Sequence, residues 1–282
     1  MDIDSKTKLV GILGDPVSHS LSPRMQNAAF RAASLNYCYL PLHVGANRLP
    51  AAIEGLRAMR FRGANVTIPH KAAAAELLDC MGRSAAQAGA VNTIVNDDGE
   101  LTGHNTDGAG FISALAEVAN VDFARAPAVI FGAGGAARSV AVALAEKGVP
   151  RIAVINRTIE KARDLKAILM REFPGIEAAA GLKEDCNGLI SASKLLINAT
   201  SVGMSGSLKR IPAPVDKLTE DHIVCDLVYS GRQETPLMVA AREKGATTMG
   251  GLGMLLHQGA ASFKLWTGAE PSIEVMREAL ES

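Results

Sequence analysis

The segment AVIFGAGGAARSVAVALAEKG, residues 128–148, constrains the fold of this chain more than any other part of the sequence. An apolar run leads into a GxGxxA loop, and an amphipathic, alanine-rich run follows it. This order is typical of a dinucleotide-binding βαβ unit, in which glycines let the backbone turn tightly and approach a pyrophosphate. The helix N-terminus offers free N–H groups and a positive dipole end to the phosphates. The predicted cofactor-binding residues of the loop are Gly132, Ala133, Gly134, Gly135 and Ala136.

The end of the next apolar run, RIAVIN, indicates which dinucleotide binds. NAD-dependent proteins normally place Asp or Glu there to bind the ribose 2'-hydroxyl. This chain has Asn156, Arg157 and Thr158 instead, and Lys161 follows one helical turn later. An arginine pairs with a 2'-phosphate through two hydrogen bonds and stacks on adenine, whereas a carboxylate would repel that phosphate. The sequence therefore predicts NADP as the cofactor. The alternative is that Arg157 and Lys161 are solvated basic side chains at the start of a helix and bind no phosphate.

Composition and charge narrow the class of protein. The 282 residues exceed a typical domain of about 100 to 200 residues, so two domains are expected. The 29 basic residues balance the 29 acidic residues, which predicts a small-molecule partner and neither nucleic acid nor a membrane surface. A start without an apolar leader and the lack of a long apolar run predict a cytoplasmic protein. The four cysteines lack CxxC spacing, so neither disulfides nor a metal site is expected.

Two series of alternating patterns predict an α/β protein with largely parallel sheets. The first series contains predicted strands at residues 9–13, 37–44, 64–68 and 91–96. Its predicted helices cover residues 23–34, 49–59, 71–80 and 107–119. The second series contains predicted strands at residues 128–131, 152–155, 195–198 and 223–227, with helices opening at Gly135, Ile159 and Pro236. Two further helices are predicted at residues 252–265 and 272–280.

Polar residues stand where strands of the first series end. Ligands of parallel sheets bind beyond the carboxyl ends of the strands, so these residues predict a crevice. They are Ser18, Ser20, Asn65, Thr67, Asn92 and Asp107. In NVTIPHK, Lys71 falls in the first turn of a helix, where the dipole opposes a cation and structure alone gives no reason for one. Asp107 begins another helix, and the two residues together are suited to proton transfer.

A simpler interpretation of the same residues makes Asp107 a helix cap and Lys71 a solvent-facing side chain. His70, adjacent to Lys71, is expected to be structural.

The sequence resembles the shikimate dehydrogenase family over nearly its whole length. The matching segments are GDPVSHSLSP, NVTIPHK, AGAVNT, NTDGAGF, FGAGGAAR, NRT, NATSVGM, DLVY and GGLGMLLHQGA. The resemblance implies that Lys71 and Asp107 form the catalytic pair and also contact the substrate. It further implies that the substrate's carboxylate and hydroxyls are held by Ser18, Ser20, Asn65, Thr67, Asn92, Tyr229 and Gln258. The positions that it places near the nicotinamide are Thr200, Met204, Leu227 and Gly251.

The resemblance also implies the domain organisation and the reaction. Residues 1–108, completed by residues 253–282, are expected to form an α/β substrate-binding and catalytic domain. Residues 109–252 are expected to form a Rossmann-like NADP-binding domain across a cleft, with the C-terminal helices packing back on the first domain. The implied activity is reversible NADP-dependent reduction of 3-dehydroshikimate to shikimate, in aromatic amino acid and chorismate biosynthesis. The expected oligomeric state is a monomer or a homodimer, between which the sequence does not decide.

Three departures from the family pattern keep other functions open. Gln26 stands where the family commonly has His, SGRQETPLM lacks the usual Pro after DLVY, and His104 precedes Asn105. Because these positions flank the predicted site, a quinate or quinate/shikimate dehydrogenase using NAD, or one acting on amino analogues, remains an alternative. A non-catalytic dinucleotide-binding regulatory paralogue is a second one, against which the presence of Lys71 and Asp107 argues. Biosynthetic or catabolic use and the direction of the reaction also stay open.

Overall fold

The computed structural model of the chain describes residues 3–203, 211–229 and 234–282. The chain divides into two compact units, each with its own sheet. The first unit comprises Met1–Gly110 together with Leu255–Ser282, and the second comprises Phe111–Met254. The predicted α/β class is confirmed.

Strands are numbered in chain order over the described residues. They are β1 Lys8–Gly14, β2 Tyr37–His43, β3 Gly63–Val66, β4 Cys80–Met81, β5 Thr93–Asp97, β6 Glu100–His104, β7 Ala128–Phe131, β8 Arg151–Ile155, β9 Glu177–Gly181, β10 Leu195–Asn198, β11 Ile223–Asp226 and β12 Thr247–Gly250.

Helices are numbered in the same way. They are α1 Ser22–Ala32, α2 Leu49–Ala58, α3 Lys71–Ala75, α4 Arg83–Ala88, α5 Asp107–Val118, α6 Gly135–Glu146, α7 Ile159–Glu172, α8 Cys186–Ser191, α9 Pro236–Glu243, α10 Gly251–Thr267 and α11 Ile273–Glu281. Within the described ranges, none of these helices combines the length and the apolar character needed to cross a membrane.

The sheet of the first unit is mixed rather than parallel throughout. Its order is β2-β1-β3-β5-β6-β4, in which β1 pairs in parallel with β2 and β3, and β5 runs antiparallel to β3 and β6. The β5–β6 hairpin turns through Asp98 and Gly99, both at positive φ (51° and 103°). An Asp-Gly pair favours such a two-residue turn, so NDDGEL carried a hairpin signal that the predicted strand at 91–96 omitted.

The C-terminal helices pack back on the first unit, as predicted. Phe263 of α10 stacks on Phe30 of α1 at 5.0 Å between ring centroids. Trp266 is buried and donates its indole N–H to Ile94 O over 2.9 Å. Gly63 makes this approach possible, because a Cβ at that position would collide with the Trp266 ring. Burial of such large aromatic side chains ties the two distant chain segments into one core.

The predicted helix over residues 71–80 is wrong in its second half, since α3 ends at Ala75. Asp79 pairs with Arg57 (Oδ2 to Nη1, 2.9 Å) and accepts a hydrogen bond from Leu101 N over 2.7 Å. These contacts draw the chain out of the helix into the short edge strand β4. Alanine-rich sequence favours a helix, and here tertiary contacts override that preference.

The second unit has the parallel, doubly covered sheet that the glycine motif predicts. Its order is β12-β11-β10-β7-β8-β9, and all pairs are parallel. The central strands are buried on both faces, which explains their continuous apolar sequences. Helix α6 begins at Gly135, directly after β7 and the glycine loop, and its small residues Ala137 and Ala141 are fully buried.

Candidate active site

Lys71 and Asp107 form a close ion pair in the first unit. Lys71 is the first residue of α3 and Asp107 the first residue of α5. Lys71 Nζ lies 2.5 Å from Asp107 Oδ2, and their side chains are 16% and 5% exposed. The solvent-facing interpretation of Lys71 is therefore wrong. A charged pair at this distance forms a strong, charge-assisted hydrogen bond.

Asn92 holds the other oxygen of the Asp107 carboxylate. Its Nδ2 donates to Asp107 Oδ1 over 2.8 Å, while its Oδ1 accepts from Thr106 N over 2.8 Å. Asn92 Nδ2 also lies 3.3 Å from Gln258 Oε1, so α10 brings Gln258 to the pair. With Lys71 on one oxygen and Asn92 on the other, the carboxylate has one fixed orientation.

A buried network of hydroxyls and amides supports these residues. Ser262 Oγ lies 2.8 Å from Thr93 Oγ1 and accepts from Asn65 Nδ2 over 3.1 Å. Tyr39 donates its hydroxyl to Asn65 Oδ1 over 2.7 Å. Thr106 Oγ1 donates to Gln258 O over 3.1 Å. Because buried polar groups are costly unless hydrogen-bonded, this network fixes Asn65, Asn92 and Gln258 in place.

Sequence reasoning missed Ser262, Thr93, Thr106 and Tyr39. One available signal was the spacing of Gln258 and Ser262, which are four residues apart and share a face of α10. Tyr39 had no such signal. Its contact with Asn65 exists only because β2 and β3 flank β1 in the sheet.

Three predicted residues lie at the ends of β1 and β3 without joining the network. Ser18 is exposed, and Ser20 Oγ accepts from Ser22 N over 3.3 Å at the start of α1. Thr67 follows β3 and donates its backbone N–H to Leu13 O over 2.9 Å. Within the described ranges, no side-chain hydrogen bond connects Ser18 or Thr67 to Lys71 or Asp107. Among the described residues, neither the Ser18 hydroxyl nor the Thr67 hydroxyl has a hydrogen-bond partner.

His70 has the structural role expected for it. Its imidazole is 2% exposed, and Nε2 lies 2.6 Å from Val44 O. This contact fixes the residue immediately before α3, and therefore the position of Lys71.

The second unit contains a groove of about 940 Å³ at the carboxyl ends of its strands. Its described lining residues are Phe131, Gly132, Ala133, Gly134, Ile155, Asn156, Arg157, Leu182, Lys183, Glu184, Ala199, Thr200, Ser201, Val202, Ile211 and Pro212. Gly132 has a φ of +111°, and a Cβ there would lie 2.8 Å from Ala199 O. Only glycine fits this position, as the first residue of the motif requires.

The groove includes some of the predicted cofactor residues and leaves others outside its described lining. Those in the lining are Gly132, Ala133, Gly134, Asn156, Arg157 and Thr200. Those outside it are Gly135, Ala136, Thr158, Lys161, Leu227 and Gly251. Gly135 and Ala136 begin α6. Thr158 is at the N-cap position of α7 without a side-chain capping bond, and Lys161 lies in the first turn of α7. Met204 lies outside the described residues.

Two further positions are held against one another behind β11. A Cβ on Gly251 would lie within 3 Å of the Leu227 carbonyl, so only glycine permits this approach. Tyr229 is half-buried three residues after β11.

Asp226 is the last residue of β11. Burial raises the pKa of its carboxyl group, although hydrogen bonds from Thr235, Val228 and Asn198 oppose the increase.

Lys183 and Glu184 are charged groove residues that sequence reasoning missed. They follow β9, whose sequence EAAAG carries little strand preference and was not recognised. Asn156 N donates to Gly181 O over 3.2 Å, which sets the end of β9 beside the Asn156–Arg157 segment. The groove wall beside Arg157 therefore carries a second cation and one carboxylate.

Known proteins resemble this chain over its full length. A curated relative from Halothermothrix orenii, named shikimate dehydrogenase (NADP(+)), is 44% identical over 98% of this chain and 97% of its own length. A relative of the same name from Methanopyrus kandleri is 45% identical over 99% of this chain and 97% of its own length. A crystal structure of shikimate 5-dehydrogenase from Thermus thermophilus, in complex with NADP(H) and shikimate, superposes with a TM-score of 0.86 at 36% identity and covers 97% of this chain and 98% of that one.

A parallel sheet with a glycine-rich groove, and a partly buried lysine–aspartate pair, indicate an α/β dinucleotide-dependent oxidoreductase. Family models match along the chain: the shikimate dehydrogenase substrate binding domain at residues 12–94, shikimate / quinate 5-dehydrogenase at 114–205, and the shikimate 5'-dehydrogenase C-terminal domain at 251–281. The chain belongs to the shikimate dehydrogenase family.

Proposed function

We propose that this protein catalyses the reversible, NADP-dependent reduction of 3-dehydroshikimate to shikimate. The observation that carries the proposal is the Lys71–Asp107 pair, whose Nζ and Oδ2 atoms lie 2.5 Å apart at the start of two helices. The first unit then binds the substrate and carries the catalytic pair, and the second unit binds NADP. The names of the full-length relatives support the same reaction.

Lys71 is the acid and base of the reaction. NADPH supplies the hydride that reduces the ketone. As the carbonyl oxygen gains charge, the Lys71 ammonium donates a proton to it, and in the reverse direction the neutral amine accepts the hydroxyl proton. Asp107 orients Lys71, while Asn92 keeps the carboxylate turned toward Lys71.

The substrate residues divide into two groups by their remaining hydrogen-bonding capacity. Ser18 and Thr67 have uncommitted hydroxyls, and Gln258 uses one Nε2 proton on Leu255 O and keeps the other. We assign these residues, with Ser20, to the substrate's carboxylate and hydroxyls, and Tyr229 stays a substrate contact that the family resemblance predicts. Asn65 and Asn92 also have protein partners that fix their amides, and we assign them to the substrate site as groups that are held in place before the substrate binds.

Neutral groups suit this substrate because several hydroxyls and one carboxylate can be bound without burying a further charge. The balance of 29 basic and 29 acidic residues supports a small-molecule partner alone, and we propose a cytoplasmic monomer or homodimer.

Substrate preference is the first test of the proposal. Purified protein is assayed with shikimate and with quinate, each with NADP and with NAD. We expect shikimate with NADP to give the highest kcat/KM. A higher kcat/KM for quinate with NAD would establish the alternative dehydrogenase, and no turnover with any pair would establish the non-catalytic paralogue.

Arg157 tests the choice of cofactor. We expect Arg157→Ala to weaken NADP binding by about 1–3 kcal/mol, the range for a hydrogen bond to a charged group, and to leave NAD binding nearly unchanged. Isothermal titration with both cofactors measures this difference. Arg163→Ala, which removes an exposed arginine of α7, is the matched control and should affect neither cofactor. Equal losses for NADP and NAD in Arg157→Ala would defeat the assignment.

Ser18 and Gln258 test the substrate site. We expect Ser18→Ala and Gln258→Ala each to raise the dissociation constant of shikimate more than that of NADP, because both lie in the first unit and offer uncommitted donors. Each lost bond to the substrate should cost about 0.5–1.5 kcal/mol, or more where it reaches the carboxylate. Titrations in which NADP affinity falls more than shikimate affinity would remove these residues from the substrate site.

A further inference from the structure

Two buried polar side chains stand side by side at the carboxyl ends of β10 and β11. Asn198 and Asp226 are paired in register on these parallel strands, and both are 0% exposed. Asn198 Nδ2 donates to Asp226 Oδ1 over 2.8 Å. Neither residue is among the described groove-lining residues. Burying an amide and a carboxylate costs free energy because both lose their contact with water. The backbone groups that these two side chains hold in place therefore indicate their role.

Asn198 shapes the turn of residues 199–202, here called the groove turn. Its Oδ1 accepts from Thr200 N over 3.0 Å and from Thr200 Oγ1 over 2.7 Å. Its Nδ2 also donates to Val202 O over 3.1 Å. The Thr200 hydroxyl in turn accepts from Val202 N over 3.1 Å. One side chain thus fixes a backbone turn of which every residue lines the groove.

The groove turn also packs against the glycine loop. The position that a Cβ would occupy on Gly132 lies 2.8 Å from Ala199 O and 3.2 Å from Thr200 N. A displacement of the groove turn by a few tenths of an ångström would therefore change the distance between the two walls of the groove.

Asp226 gives this chain of hydrogen bonds its direction. Its Oδ1 accepts from both Asn198 Nδ2 and Val228 N, the latter over 3.1 Å. Its Oδ2 accepts from Thr235 Oγ1 over 2.5 Å. Val228 N–H requires an acceptor at the first carboxylate oxygen, and the Val202 carbonyl requires a donor on residue 198. An amide at 198 and an acceptor at 226 satisfy both requirements. In the reverse order residue 198 has no donor for Val202 O, and an amide oxygen at 226 can accept from Val228 N only by also facing the carboxylate at 198.

We propose that Asn198 and Asp226 are positioning residues for NADP, which hold the groove turn in its binding conformation through a hydrogen-bond chain of fixed direction. The identity of the dinucleotide rests on the proposed function. The groove turn then depends on having the amide at position 198 and the carboxylate at position 226, and not only on the charge and volume of the two side chains.

The test exchanges the two residues. Asn198→Asp/Asp226→Asn keeps composition, net charge and volume, but sets a carboxylate oxygen against Val202 O. The amide at 226 then cannot both accept from Val228 N and donate to the carboxylate at 198. We expect it to raise the NADP dissociation constant and KM at least about tenfold, as unpaired buried groups do, and to leave the KM for shikimate near that of the wild type. Asp226→Asn alone keeps the acceptor toward Asn198, and its Thr235 partner can accept from the new amide, so we expect a change below about threefold.

A second measurement reads the groove turn without cofactor. The amides of Thr200 and Val202 are protected by side-chain oxygens, so their hydrogen exchange should accelerate in the exchanged pair and stay slow in Asp226→Asn. Ser193→Ala is the control, because it removes a bond to Ile190 O at the opposite end of β10 and should alter neither measurement. If the exchanged pair does not fold, Thr200→Val removes the hydroxyl that holds Val202 N and should accelerate exchange at that amide and weaken NADP binding.

An exchanged pair, or a Thr200→Val variant, with wild-type NADP affinity and slow amides would overturn the proposal. Equal loss of affinity in Asp226→Asn and in the exchanged pair would also overturn it, because charge rather than order would then matter. A wild-type protein that binds no NADP would contradict the proposed function instead. Amide exchange would still show whether the hydrogen bonds of Asn198 and Asp226 order the groove turn.

Discussion

Lys71→Ala is expected to lower turnover with shikimate and NADP by roughly 100- to 10,000-fold, the usual contribution of a general acid or base. The loss falls on the chemical step, so NADP affinity should stay near that of the wild type. The fold should survive, because Asn92 still donates to Asp107, and a carboxylate at the start of α5 is favoured by the helix dipole. Single-turnover rates, cofactor titration and thermal melting measure these three properties in the same variant.

Lys71→Arg separates proton transfer from charge. An arginine keeps the positive charge beside Asp107 but does not release its proton near neutral pH, so we expect turnover to stay low. Lys147→Ala removes an exposed lysine after α6 and is the control for loss of a basic residue. A Lys71→Ala protein that retained most of its turnover would refute the mechanism, even though family membership would stand.

Asp107→Ala is expected to lower turnover by an amount in the same range of about 100- to 10,000-fold and to weaken shikimate binding as well. The variant removes the only ion-pair partner that the described residues give Lys71, and it frees Asn92 Nδ2. With its acceptor gone, Lys71 loses the orientation needed to reach the substrate oxygen. Steady-state kcat and KM, with titration of shikimate, measure both effects. Undiminished turnover with normal shikimate affinity would exclude Asp107 from the site.

The fold of the second unit could be predicted from the sequence because its signals are local. An apolar run, three glycines and an amphipathic run follow one another in 21 residues, 128–148, and the observed helices α6, α7 and α9 begin at the predicted Gly135, Ile159 and Pro236. Strand β9 was missed because alanine disfavours strands, and β9 forms only by pairing with β8 at the sheet edge.

The pairing of Lys71 with Asp107 could also be anticipated, since each residue begins a helix after a strand. The supporting network could not, because it depends on the return of α10 to the first unit. Ser262 meets Asn65 across 197 positions of sequence, and no local pattern encodes that contact. The order of Asn198 and Asp226 is hidden for the same reason: it reflects the backbone groups of Val202 and Val228, which no side-chain pattern shows.

The double variant Lys71→Ala/Asp107→Ala tests most directly the claim that the two residues act as one proton-transfer unit. Single-turnover rates of the wild type, both single variants and the double variant, with shikimate and NADP, form a complete cycle. The account predicts that the double variant is about as slow as the slower single variant, because removal of either residue already disables the unit. Losses that multiply in the double variant would show two independent contributions and would contradict the account.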